Sequence, residues 1–108
     1  MKTKLWLDDV RPAPDGWFWV DSAKTAISFL EDGEVEEISL DHDLGEDPDY
    51  GTGYDVAKWI EEAAYDGRIQ RLKWNIHSAN PVGRAKMESA LNNAERYWQM
   101  HEIEEDYD

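Results

Sequence analysis

No cysteine occurs anywhere in the 108 residues. That excludes disulfides, thiolate catalysis and every zinc site built on cysteine, and it fits a reducing, cytoplasmic setting. Positive charge is scarce: 11 Lys and Arg stand against 25 Asp and Glu, a formal net charge of −14 with a pI near 4.4. Duplex nucleic acid is thereby a poor partner, because binding it takes cationic groups that release counterions from the phosphates. No apolar stretch reaches the roughly 18 residues that span a bilayer, and the start, MKTKLWLDD, lacks the apolar region and cleavage site of a secretory signal. Proline is limited to four residues, two of them packed into Arg11-Pro12-Ala13-Pro14-Asp15-Gly16, which cannot be regular structure. Repeats and linkers are absent as well, so residues 1–100 are expected to form one domain with a single core.

What is present is unusual. Six tryptophans supply much of the packing area of a small core. Three short apolar runs each break into polar, chemically capable residues: Leu5-Trp6-Leu7 into Asp8-Asp9, Ile38-Ser39-Leu40 into Asp41-His42-Asp43, and Trp74-Asn75-Ile76 into His77-Ser78-Ala79-Asn80. Such runs, separated by helix-like segments, read as strands of an open α/β sheet, whose ligands bind outside the carboxyl ends of the strands. The excess of carboxylates suits a divalent cation, a basic protein partner or a small phosphorylated ligand held through a metal. A DNA mimic that occupies a basic protein, and plain solubility, are the competing readings of the charge alone.

The patterning predicts strands over 4–8, 17–20, 37–41 and 72–77. A first helix is capped by Asp21 or Ser22, carries the stripe Ala23, Ala26, Ile27 and Leu30, and stops at Gly33. Thr52-Gly53-Tyr54-Asp55 has capping-box spacing and opens a second helix with Val56, Trp59, Ile60 and Ala63 on one side, ended by Gly67. Asn80-Pro81 reads as an N-cap and first helical proline before a long helix striped by Met87, Ala90, Leu91, Ala94 and Trp98. Residues 101–108 are expected to be a frayed acidic tail. Right-handed crossovers then give a four-stranded parallel sheet sandwiched by helices. Alternation around Phe18 places at least one of Trp17 and Trp19 in the core, with nucleobase stacking as the other use of these rings. Tyr50 and Tyr54 flank the acidic loop 42–51, as lids or as packing residues.

At this point the residues resemble the response-regulator receiver domains. Leu5 to Asp9 looks like their first strand and acidic pair, Ile38 to Asp41 like the third strand with its phospho-accepting aspartate, and Ile76 to Ala79 like the fourth with its hydroxyl residue. The strings LDDVRPAP, SLDHDLG, TGYDVAKWI and HSANPVGR are similar to the divergent branch of cyclic-phosphate-processing receiver-like domains, over roughly residues 5 to 91. The resemblance implies a receiver/flavodoxin-like three-layer sandwich with sheet order 2-1-3-4 and activity on a cyclic phosphate, at an RNA 2′,3′-cyclic end or in a cyclic nucleotide. Two departures stand out. The helix after the first acidic pair has no room, and the fifth strand with its invariant lysine is missing, leaving only Lys86 within the last helix.

Within that frame Asp8, Asp9, Asp41 and Asp43 are the expected ligands of Mg²⁺ or Mn²⁺, because clustered carboxylates are tolerated mainly when a cation compensates them. His42 and His77, with Asp41, are the expected catalytic groups, one imidazole activating water and the other protonating the leaving ribose oxygen. Ser78, Asn80, Arg11 and the amides around Gly83 are expected to cradle the phosphate, with Arg84 either reaching a phosphate oxygen or standing as a solvated helix residue. The alternative is a non-catalytic receiver-fold module that sequesters a phosphorylated ligand or presents an acidic face to a basic protein.

Overall fold

The computed structural model describes residues 2–45 and 48–106, the last three by backbone alone. Glu46 and Asp47 of the acidic loop, and 107–108 of the tail, lie outside the described residues. The chain runs β1 (Thr3–Leu7), β2 (Phe18–Val20), α1 (Ala23–Glu31), β3 (Val35–Leu40), a 3₁₀ turn (Pro48–Tyr50), α2 (Gly53–Tyr65), β4 (Lys73–Ile76) and α3 (Pro81–Asp106). All strand pairs are parallel, in the order β2-β1-β3-β4, so the expected receiver-like α/β sheet forms.

Local chemistry sets the boundaries. Ser22 Oγ accepts the Thr25 amide and caps α1. Thr52 and Asp55 form the reciprocal capping box of α2. Asn80 Oδ1 accepts the Gly83 amide at 3.0 Å and caps α3. After α1 and α2 the backbone turns at Gly33 and Gly67, both at positive φ, the conformation only glycine adopts without strain.

The helices gather on one face of the sheet. Leu5 aligns with Phe18 and Ile38, and Ile38 with Trp74, so these side chains share a face. Phe18 meets Phe29 of α1 at 5.0 Å, and the Trp74 indole N–H donates to Glu95 of α3 at 3.0 Å. α2 packs between α1 and α3. The core of Leu5, Leu7, Ile38, Leu40, Ile60 and Leu91 fills this side. The opposite row, Trp19, Trp6, Ser39 and Asn75, is covered by no helix among the described residues. The expected sandwich with helices on both faces is therefore corrected to two layers. The crossovers β2–α1–β3 and β3–α2–β4 travel in the same direction across the sheet, so right-handedness puts both helices on one side. Only the return step from β1 to β2 would place a helix on the other, and that step is the proline loop.

Two further expectations change. Neither Trp17 nor Trp19 joins the core: Trp17 packs edge-on against Trp6, and Trp19 is exposed. Residues 101–106 are helical rather than frayed, since Arg71 donates to Glu102 at 2.9 Å and His101 Nε2 to the Tyr65 carbonyl at 3.0 Å. No described helix is long and apolar enough to cross a membrane.

Candidate functional site

The carboxyl ends of β1 and β3 deliver Asp8 and Asp41 side by side, because Asp41 N donates to the Leu7 carbonyl across the strand pair at 2.9 Å. Asp8 is only 1% exposed and Asp41 7%, whereas Asp9 is exposed. One oxygen from each of Asp8, Asp9 and Asp41 lies within 4.8 Å of the others. These three residues, with Arg11, Asp43, Gly45 and Ala79 among the rest, line a cleft of about 620 Å³.

Asp8 is engaged at both oxygens. Its Oδ1 accepts the amides of Val10 and Arg11, each at 2.9 Å, and its Oδ2 accepts His77 Nε2–H at 3.0 Å. Burial opposes its ionisation, but those amides and His77 outweigh burial and hold the carboxyl below its usual range. Asp41 shifts the other way. Burial first, and the neighbouring Asp8 charge second, push its carboxyl up, although the His42 amide bonds it at 2.9 Å. One ionised and one reluctant carboxylate with oxygens within 4.8 Å is a charge imbalance that a hard cation relieves.

His77 faces the uncovered side of the sheet and is stacked on Trp6, with ring centroids 3.9 Å apart and planes 5° apart. An ionised Asp8 only accepts, so Nε2 carries the proton and Nδ1 is left to accept from Ser39 Oγ–H at 2.7 Å. Ser39 in turn accepts from Asn75 Nδ2 at 3.3 Å, completing a directional chain from Asn75 through Ser39 and His77 to Asp8. Burial keeps the imidazole below its ordinary range despite the pull of Asp8 upward. Both ring nitrogens are thus committed, and His77 positions Asp8.

His42 is held on the far side of β3. Its Nδ1 bonds Asp43 Oδ1 at 2.9 Å, and its ring fills the space above Gly83, where a Cβ would lie 2.4 Å from the imidazole. Neither histidine is among the residues lining the cleft. Asp43 lines it but stands outside the three-oxygen group. His42 first, and Asn80 after the smaller opposing effect of burial, hold its carboxyl below the usual range.

The expected phosphate residues divide. Arg11 lines the cleft, 53% exposed, with Nε 3.4 Å from Asp8 and a hydrogen bond to the His77 carbonyl at 3.1 Å. Ser78 Oγ accepts the Asn80 amide and Asn80 Oδ1 accepts the Gly83 amide, so these groups build the start of α3. Arg84 is tied to the Ile76 carbonyl and to Glu88, away from the cleft. Sequence reasoning missed Ser39 and Trp6 as partners of His77. The available signal was a serine in the middle of an otherwise apolar strand, since a buried hydroxyl must find a partner.

A receiver-like sheet with an acidic cleft at its carboxyl end defines the class of domain. Residues 3–93 match the family model of the cyclic-phosphate processing receiver domain, and the chain belongs to that family. No curated protein and no solved structure matches the chain.

Proposed function

We propose that the cleft is a cation-assisted phosphoester site that opens a cyclic phosphate, with Asp8, Asp9 and Asp41 as the oxygen ligands of Mg²⁺ or Mn²⁺. The observation that carries this reading is the convergence of three carboxylate oxygens within 4.8 Å, two of the residues buried. The donor set is all oxygen, which suits hard cations that keep waters and take phosphate oxygens. A bound cation would supply Lewis acidity and offset charge on the phosphoryl oxygens.

In the reaction, water adds to phosphorus, the bond from phosphorus to one ribose oxygen breaks, one proton leaves the water and one reaches the departing oxygen. Asp43, which lines the cleft and is hydrogen-bonded to His42 Nδ1, takes the water's proton at its carboxylate and passes it to the departing oxygen. Arg11 bonds a phosphoryl oxygen from the exposed rim. His77 keeps Asp8 ionised and fixed. The role first given to the two histidines as an acid–base pair thus passes to Asp43 backed by His42.

Incubation with adenosine 2′,3′-cyclic phosphate, with and without Mg²⁺ or Mn²⁺, tests the reading by phosphorus NMR. A phosphomonoester signal is expected that chelation removes and that Asp41→Asn or Asp9→Asn lowers by on the order of 10²-fold or more. Turnover indifferent to chelation and to both variants would sink it. The absence of an imidazole from the described cleft wall favours one second reading, a module that retains the phosphorylated ligand unchanged. That reading predicts a saturable shift of the cyclic-phosphate resonance and no new product. A DNA mimic would spread its carboxylates over one face, whereas these converge.

A further inference from the structure

Beside the acidic cleft, at the open edge of the sheet, lies a second groove of about 440 Å³ lined by Asp9, Phe18, Trp19, Val20, Asp21 and Thr25. Asp9 belongs to both hollows. β2 is the edge strand, so among the described residues its outer side meets no other strand. Trp19 is 45% exposed there, a large ring of the kind that ordinarily supplies core packing. It is not loose. Its indole Nε1–H donates to the Asp8 carbonyl at 2.7 Å, which uses the ring's single donor and ties it to the backbone of a residue in the carboxylate group. What the ring still offers a ligand is its π-face.

We propose that Trp19 and this groove hold the base of a nucleoside cyclic phosphate whose phosphoryl group lies in the adjoining cleft. The inference rests on the reading of that cleft as a phosphoester site. It adds to that site a place for the base, at the groove that shares Asp9 with the cleft. A pre-fixed aromatic face is the platform on which bases stack with little regard to sequence. The carboxylate of Asp21 only accepts hydrogen bonds when ionised, so it matches a base edge bearing an amino or imino N–H group. Continuity through Asp9 sets the two ends of the ligand: charge toward Asp8 and Asp41, ring toward Trp19.

The test uses the full chain with Mg²⁺ and three probes: adenosine 2′,3′-cyclic phosphate, guanosine 2′,3′-cyclic phosphate and glycerol 1,2-cyclic phosphate, which has no base. Trp19→Ala is expected to raise KM for the nucleotides about 5- to 150-fold more than for the glycerol ester, the range that stacking on an aromatic spans by alanine substitution. Trp19→Phe, which keeps a ring but loses the bond to Asp8, should restore most of the difference. In proton NMR the base protons should move upfield with the wild type and Trp19→Phe, and not with Trp19→Ala. Equal losses on all three probes would overturn the proposal, leaving Trp19 as a prop for Asp8. Absence of upfield shifts with both nucleotides would overturn it as well. Upfield shifts without turnover of any probe would remove the phosphoester reading and leave the base site standing. Turnover that ignores the base would do the reverse.

Discussion

Asp41 bears an electrostatic cost, as a buried carboxylate beside an already ionised Asp8. Its folded-state value is raised, so the stability it contributes is full at low pH and is lost as pH rises through that value. At neutral pH, without added divalent cation, Asp41→Asn should therefore raise the melting temperature by about 2–6 °C, what roughly 0.5–1 kcal/mol is worth in a domain of this size. The advantage should shrink as pH falls toward the ordinary carboxylate value, and a constant advantage across a pH series of thermal melts would refute the assignment. His77 has the opposite linkage. Burial holds it below its ordinary value of 6.5, so in that window only the unfolded chain takes up the proton and stability declines as pH drops through 6.5. His77→Ala strips Asp8 Oδ2 and Ser39 Oγ of a partner. Urea unfolding should show a loss of about 2–4 kcal/mol, the cost of leaving a buried charged group half-satisfied. A loss under about 0.5 kcal/mol would deny His77 its positioning role.

At the scale of elements, two helix beginnings are pressed against the site by glycine. A Cβ on Gly53 would stand 1.9 Å from the Asp41 carbonyl oxygen, and one on Gly83 2.4 Å from the His42 ring. Alanine in place of a helical glycine ordinarily stabilises by about 1 kcal/mol. Here Gly53→Ala should destabilise by about 3 kcal/mol and Gly83→Ala by about 1–3, as overpacking does. Calorimetry showing either variant more stable than the parent would mean that α2 or α3 sits farther from β3. These contacts also mark what was legible in the sequence. The caps at Ser22, Thr52–Asp55 and Asn80 were readable because capping is local, and so were the strands ending in Asp8 and Asp41. The crowding of Gly83 by His42 was not legible, because it is a tertiary fact. The partners of His77 depend on the register that brings Ser39 beside Asn75. The tail was read from its charge, yet α3 is held through residues 31 and 36 positions distant, Arg71 with Glu102 and Tyr65 with His101. The single helical layer follows from the direction of each crossover, which no local pattern announces.

For the molecule as a whole, a formal charge of −14 on 108 residues makes self-repulsion a general term, and any salt relieves part of it. Stabilisation by Mg²⁺ alone is therefore no proof of a site. The separation comes from comparing Mg²⁺ with NaCl at equal ionic strength. Screening acts on all exposed carboxylates, whereas a bound ion adds mass action, about 2.7 kcal/mol when its concentration is 100 times Kd. Asp8, Asp9 and Asp41 bring their oxygens within 4.8 Å of one another in one cleft, and the tail carboxylate Glu102 is paired with Arg71 instead. The wild type should thus gain several degrees more in melting temperature from Mg²⁺ than from matched NaCl. Asp9→Asn and Asp41→Asn should each erase that excess while keeping the NaCl response. Equal responses to the two salts in the wild type would assign the whole effect to screening and leave the cleft without a cation. An excess that survives both substitutions would place the ion elsewhere on the acidic surface.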